Sequence, residues 1–327
     1  MPQNKVVIVD DFPPVMGPSE AYKGLRSRAE VEYYDTLPET DEELLARIGN
    51  AECAINIRSS VKFSHEILSQ CDQLKVLSLW GTGTDHVDLA AAAKFGIAVT
   101  NTPGVSAYTM AEHSLTLMLA VARQIPKIDT ETKLGHWPRG FVTQLYGKTL
   151  GVIGLGAIGA QMARLGRGIG MRVISWTTHP SQERAQELGV EAVELDELYR
   201  ESDVVSLHLR QSPDTLSFIG EREFNMMKPT AIFINTARGR IVDEEALVLA
   251  LREGRIAGAG LDVFADEPLP GGHALGDLEN VVLTPHSGGV TKEALEAGLE
   301  LSIENVFGFL AGQPANVVVA PAPGAKE

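Results

Sequence analysis

The stretch Gly154-Leu155-Gly156-Ala157-Ile158-Gly159 constrains this chain more than any other feature. It follows an apolar run at 148–153 and opens a helical pattern at 160–168. In a strand–turn–helix, the first glycine allows the tight turn, the second lets the backbone approach a pyrophosphate, and the third lets helix and strand pack closely. The helix start then offers free N–H groups and a partial positive charge. A plain βα turn is the bland alternative, but the flanking strand and helix favour a dinucleotide site.

The rest of the chain keeps the same rhythm. Short apolar runs at 6–9, 31–34, 54–57, 76–79 and 98–100 are separated by helical stretches such as 42–48 and 89–95. An apolar helix near 110–122 and a loop with Gly135, Pro138 and Gly140 follow. Six more runs come next, at 150–155, 172–176, 204–209, 231–235, 256–261 and 281–283, with helical patterns such as 158–169 and 244–253 between them. This alternation predicts an α/β protein with two open parallel sheets, the second of the dinucleotide-binding kind. A length of 327 residues favours two domains. The boundary falls near Thr102, and a helix at 292–310 returns to the first domain. The expected division is thus 1–101 plus 290–327, discontinuous, and 102–289. The Pro/Ala-rich residues 314–327 are expected to form an extended or frayed tail.

A net charge of −15 argues against nucleic acid or an anionic membrane as the main partner. A local cationic pocket can still hold a small anion. Cys53 and Cys71 fall in strand or helix, so free buried thiols and a reducing compartment are expected. The start MPQNKVVIVDD lacks the layout of a signal peptide, and the most apolar window, 114–122, is too short to span a bilayer. A cytoplasmic location is the expectation. His65, His136 and His273 show no ligand spacing, so no metal site is predicted. His113 reads as packed on the apolar helix, His208 as lying within a strand, and His86 as a turn or capping residue.

Chemistry-bearing residues cluster at predicted strand ends, where open α/β sheets place their ligands. The strand after the glycine turn ends in Thr177-Thr178-His179, where an acid is the usual partner of the ribose hydroxyls. A threonine does not repel a 2′-phosphate, so NAD(H) and NADP(H) both stay open; no Arg follows at once, and Arg184 belongs to the next helix. A later strand runs into Asn235-Thr236-Ala237-Arg238-Gly239, and an Arg there is well placed to hold a carboxylate with two N–H donors. Two more end in Asp262, followed by Glu267-Pro268, and in Thr284-Pro285-His286-Ser287-Gly288-Gly289. A His beside a Gly pair is a reasonable general acid/base. Each residue alone has a bland explanation, as surface Arg, capping Asp or loop His.

At these motifs, and at residues 81–88 and 100–104, the chain resembles the D-2-hydroxyacid dehydrogenases, which include phosphoglycerate, glyoxylate/hydroxypyruvate and D-lactate dehydrogenases. The resemblance spans nearly the whole chain. It implies a flavodoxin-like substrate domain, a Rossmann domain, and an active-site cleft between them. It implies hydride transfer between NAD(P)H and a small 2-oxo or D-2-hydroxy acid, and a homodimer. By that resemblance Arg238 binds the carboxylate, His286 is the acid/base, and Glu267 pairs with His286 to favour the imidazolium. Cofactor contacts fall on Gly154, Gly156, Ala157, Ile158, Gly159, Thr177, Thr178, Leu209, Thr236, Ala237, Asp262 and Gly288. Arg58, Trp80, Gly81, Thr82 and Gly83 fall on the substrate side, with the 82–83 loop offering N–H groups to the carboxylate.

Departures from the family pattern matter too. Leu79-Trp80 stand where phosphoglycerate dehydrogenase-like enzymes often carry an Arg, which weakens the case for a phosphorylated substrate. Trp80 is either an apolar wall beside the substrate or core, and Arg58 either replaces the lost cation or faces solvent. The chain ends soon after the second domain, so no appended regulatory domain is expected. The alternative from another class is a nicotinamide-cofactor-sensing, corepressor-like interaction protein. A formate-type dehydrogenase fits less well, because that branch resembles a Gln–His pair where this chain has Glu267 and His286.

Overall fold

The computed structural model describes residues 4–322. Its strands in chain order are β1 Lys5–Ile8, β2 Glu30–Tyr33, β3 Cys53–Asn56, β4 Val76–Leu79, β5 Ala98–Thr100, β6 Thr149–Ile153, β7 Arg172–Trp176, β8 Glu191–Ala192, β9 Val204–Leu207, β10 Ile232–Asn235, β11 Gly258–Leu261, β12 Val281–Leu283 and β13 Val317–Val319. They form two sheets, one in each of two compact units, Met1–Ser106 with Thr291–Glu327 and Ala107–Val290.

The first unit carries a sheet of order β13-β5-β4-β3-β1-β2. Strands β1 to β5 pair in parallel, in the 2-1-3-4-5 order of flavodoxin-like sheets. β3 and β4 are buried at every residue, as a parallel sheet covered on both faces requires. The helix Lys292–Leu310 is capped by Thr291, whose hydroxyl accepts the Ala294 N–H, and it lays Leu299, Ile303 and Val306 on this core. Of the expected extended or frayed tail, Val317–Val319 are extended and paired. β13 pairs antiparallel with β5, so three consecutive valines cover what would be an open edge. Asn316 anchors the tail further: its carbonyl accepts the Asn101 N–H and its Nδ2 donates to Asn305 Oδ1. Residues 323–327 of the predicted tail lie outside the described residues.

The second unit holds an all-parallel sheet of order β12-β11-β10-β9-β6-β7-β8. It has seven strands instead of the six expected, because β8 is two exposed edge residues, too short to register as an apolar run. Strand order reverses between β6 and β9, so the carboxyl ends of those strands form the switch point where such sheets take ligands. The helix Ala107–Ala122 packs on β10 and β11 through Leu117 and Met118 among others.

Candidate active site

The glycine turn follows β6 and opens the helix Ala157–Gly168. Gly154 has φ 95°, and a Cβ there would sit 2.7 Å from the His208 carbonyl oxygen. A Cβ at Gly159 would overlap the Gly154 carbonyl oxygen. Close packing therefore demands both glycines. Gly156 differs, because a Cβ there would meet no atom within 4 Å. The helix ladder starts with Ala160 N–H to Gly156 O at 3.0 Å, which leaves the N–H groups of Ala157, Ile158 and Gly159 without an intramolecular acceptor among the described residues. Open space beside unpaired N–H groups at a helix start fits the pyrophosphate of a dinucleotide.

The turn is tied to the end of β7 by Gly154 N–H donating to Trp176 O at 2.7 Å. Thr177 is half-buried there; Thr178 is exposed, with its Oγ1 3.0 Å from His179 Nδ1. Leu209 packs its Cδ2 near Gly154. Arg184 is the residue that sequence reasoning passed over. Its Nε donates to Leu155 O at 2.8 Å and its Nη2 to Gly156 O at 3.3 Å, so its guanidinium lies back on the glycine turn.

β10, β11 and β12 end in register, Asn235 opposite Leu261 and Leu261 opposite Leu283, so three loops leave one edge of the sheet together. Asn235 closes the first loop. Its Oδ1 accepts the Ala237 N–H at 3.0 Å and its Nδ2 donates to Arg238 O at 3.0 Å. Thr236 is buried, with its Oγ1 2.8 Å from Ser114 Oγ on the Ala107–Ala122 helix. Arg238 is half-buried, and its Nη1 donates to Ala237 O at 2.8 Å. The next residue, Gly239, lies against the backbone of Phe264 and Ala265 in the second loop. Arg240 reinforces that contact through Nε to Ala265 O and Nη2 to Asp266 Oδ1, both 3.0 Å.

Glu267 ends the second loop. Its Oε1 accepts the Phe264 N–H at 3.0 Å, and its Oε2 lies 2.7 Å from His286 Nδ1. Burial alone would raise this carboxyl. The bond and charge of His286, the Phe264 N–H and the charge of Arg238 outweigh it and hold Glu267 below the usual carboxylate range. His286 Nε2 has no protein partner among the described residues, so the ring is oriented at one nitrogen and available at the other.

His286 has φ 51°, a left-handed backbone that a side chain other than Gly adopts at a cost. Asp262 supplies what holds it there. The Asp262 carbonyl accepts the His286 N–H at 2.8 Å. Its carboxylate accepts Thr284 Oγ1 at 2.6 Å and the N–H groups of Ser287 and Gly288, each at 2.9 Å. Asp262 is wholly buried. Burial would raise its carboxyl, but these bonds and one from His113 keep it below the usual range. A Cβ at Gly288 would crowd both His113 and Asp262, so only Gly fits against them.

In the first unit, Arg58 leaves the end of β3. Its N–H donates to Asp10 Oδ2 at 3.0 Å, its Nη2 donates to Pro13 O at 2.6 Å, and its buried Nε has no partner among the described residues. Asp10 also accepts the Ile57 N–H and Asn56 Nδ2, and burial pushes its carboxyl up to about 7. His86 lies in the turn closed by Val87 N–H to Thr84 O, as expected, and its ring is buried with Nε2 2.8 Å from Asn56 Oδ1. His208 sits one residue beyond β9, not within it, with Nε2 2.9 Å from Ser206 Oγ. The Trp80 indole is turned onto the Lys292–Leu310 helix, donating to Leu295 O at 3.3 Å over Gly298, where any Cβ would collide with the ring. Trp80 thus serves the core. Gly81 has φ 108° and spends its N–H on Thr102 Oγ1 at 2.7 Å. The N–H groups of Thr82 and Gly83 have no intramolecular acceptor among the described residues.

Known proteins resemble this chain over most of its length. The family described as "D-isomer specific 2-hydroxyacid dehydrogenase, NAD binding domain" matches residues 115–288. A glyoxylate reductase of Korarchaeum cryptofilum is 38% identical over 291 residues, 87% of each chain. A D-3-phosphoglycerate dehydrogenase of Methanocaldococcus jannaschii is 40% identical over 303 residues, 92% of this chain but only 57% of that longer protein. Among solved structures, an acyclic imino acid reductase in complex with NADPH and D-Arg superposes with a TM-score of 0.87 at 31% identity, covering 96% of this chain and 100% of that one. On this match and on the paired histidine, the dinucleotide turn and the strand order together, the chain belongs to the D-isomer specific 2-hydroxyacid dehydrogenases, the NAD(P)-dependent oxidoreductases of CH–OH donors.

Proposed function

We propose that this protein reduces a small, unphosphorylated 2-oxo acid of the glyoxylate or hydroxypyruvate kind to the corresponding 2-hydroxy acid, the D isomer where C2 is a stereocentre, with His286 as the proton donor. The observation that carries this reading is the His286–Glu267 pair at 2.7 Å with Nε2 left available. The dihydronicotinamide, when bound, supplies a hydride to C2 of the acid. Arg238 grips the substrate carboxylate through its planar fork. His286 delivers the Nε2 proton to the carbonyl oxygen as negative charge develops there, and the Glu267 carboxylate stabilises the imidazolium. In oxidation the same nitrogen takes the hydroxyl proton. Within the first unit, the N–H groups of Thr82 and Gly83 and the Arg58 guanidinium are further donors of the kind that binds an anion. An intact Arg238, Glu267 and His286 set favours catalysis over cofactor sensing.

The unpaired N–H groups of Ala157, Ile158 and Gly159 would hold the pyrophosphate, with Thr236, Ala237, Leu209, Asp262 and Gly288 along the nicotinamide side. No carboxylate ends β7, and the Arg184 guanidinium lies on the glycine turn, bonded to Leu155 O and Gly156 O. That arrangement accepts the 2′-phosphate of NADPH. A homodimer is supported by the helix Ile125–Lys133, which buries none of its residues, and by exposed Ile125, Leu134, Trp137, Phe141 and Tyr146 along it and the loop after it. A second copy is the expected cover, in a cytoplasmic enzyme with free buried Cys53 and Cys71.

Following NADH and NADPH oxidation by absorbance against glyoxylate, hydroxypyruvate, pyruvate and longer apolar analogues tests the reading. Turnover with the small acids is expected. Binding of both cofactors with no oxidation by any acid would refute it.

A further inference from the structure

One helix reaches both loops that carry the proposed chemistry. On Ala107–Ala122, the adjacent residues His113 and Ser114 contact different strand ends of the same sheet. Ser114 Oγ lies 2.8 Å from Thr236 Oγ1, two residues before Arg238. His113 Nε2 lies 2.9 Å from Thr284 Oγ1 and 3.3 Å from Asp262 Oδ1.

The proton count fixes which group donates. Thr284 has one hydroxyl proton, and the 2.6 Å bond commits it to Asp262, which is an acceptor only. His113 Nε2 therefore carries a hydrogen and gives it to this Thr284–Asp262 pair. Asp262 in turn holds the Ser287 and Gly288 N–H groups with its carboxylate and the His286 N–H with its carbonyl. His286 sits inside that set of bonds at φ 51°. The His113 ring also lies where a Cβ on Gly288 would fall, so ring and loop are in direct packing contact.

We propose that His113 is a positioning residue for His286: it fixes the Asp262–Thr284 pair that holds the acid/base loop in its left-handed turn, while neighbouring Ser114 indexes the Arg238 loop to the same helix. This deepens the proposed reaction and rests on the role given there to His286. His113 touches no reacting atom in this scheme. It acts by keeping Nε2 of His286 where the developing oxyanion forms, and misplacements of about 1 Å can cost on the order of 100-fold in rate.

The test compares His113→Gln and His113→Glu, alone and in a His286→Gln background, by single-turnover NADPH oxidation with glyoxylate. Gln reproduces the Nε2 donor, whereas Glu offers only acceptors to an acceptor. H113Q is expected to keep the rate within roughly threefold and H113E to lose roughly 10–100-fold, with the KM for glyoxylate changing much less than kcat. In the His286→Gln background, H113E should cost nothing further, because its effect runs through the missing imidazole. Full activity of H113E, or an undiminished loss on top of His286→Gln, would overturn the proposal. The parent reading fails separately, if His286→Gln alone retains the wild-type rate. If H113E does not fold, His113→Leu takes its place, with the same expectation and the same refutation.

Discussion

Gly239 lies so close to Phe264 that a single added Cβ would overlap the Phe264 carbonyl carbon. The loop that carries Arg238 and the loop that carries Glu267 are thereby one rigid piece. Gly239→Ala must push these two backbones apart. We expect kcat/KM to fall at least 100-fold, with stability lower by about 1–3 kcal/mol, the usual cost of overpacking. Steady-state kinetics and thermal melting on the same sample check both parts. A fully active Ala variant would mean the two loops need not be held together.

Glu267 is kept ionised below the normal carboxylate range by His286 and Arg238, although burial opposes it. A depressed carboxylate contributes stability that is present above pH 4.5 and lost as pH falls through its folded value. Glu267→Gln removes the charge that stabilises the imidazolium. Reduction should slow by roughly 10²-fold, within the span of general acid–base help. Steady-state kcat/KM of both proteins decides it, and an unchanged value would show that the charge on Glu267 is not needed.

The absence of an acid after β7, together with Arg184 on the glycine turn, predicts that NADPH serves at least as well as NADH. Thr177→Asp should repel the 2′-phosphate and shift the NADPH/NADH ratio of kcat/KM toward NADH by roughly tenfold or more, about 1.4 kcal/mol. Arg184→Ala should weaken NADPH more than NADH. Equal effects on both cofactors would assign Arg184 to the fold alone.

Asp10 carries the opposite pH dependence. Burial raises its carboxyl from 3.8 to about 7, so the stability it contributes is fully present below 3.8 and lost as pH rises through about 7. Asp10→Asn is neutral at every pH. The difference in Tm, variant minus wild type, should therefore grow between pH 5 and pH 8. A constant difference would show Asp10 to be ionised throughout.

Much of this was legible beforehand for specific reasons. The runs at 76–79, 98–100, 172–176 and 281–283 coincide with β4, β5, β7 and β12, because buried parallel strands are apolar at nearly every residue. β8 escaped because two exposed residues carry no such signal, and β13 because Pro-rich surroundings hide a three-residue edge strand. The residue pattern placed Arg238, Glu267 and His286 on neighbouring strand ends, but it held no sign of Arg184 folding back across 28 residues to Gly156. Nor did it show Trp80 seated over Gly298 or His113 bonded to Thr284, since those contacts exist only once distant helices and strands meet.

The central claim is that His286 Nε2 supplies the proton that accompanies hydride transfer. The most direct measurement is single-turnover NADPH oxidation by His286→Gln with glyoxylate, alongside NADPH binding by fluorescence. The account predicts a rate loss of roughly 10²–10⁴ with cofactor affinity unchanged within about twofold. Wild-type turnover by that variant would contradict it.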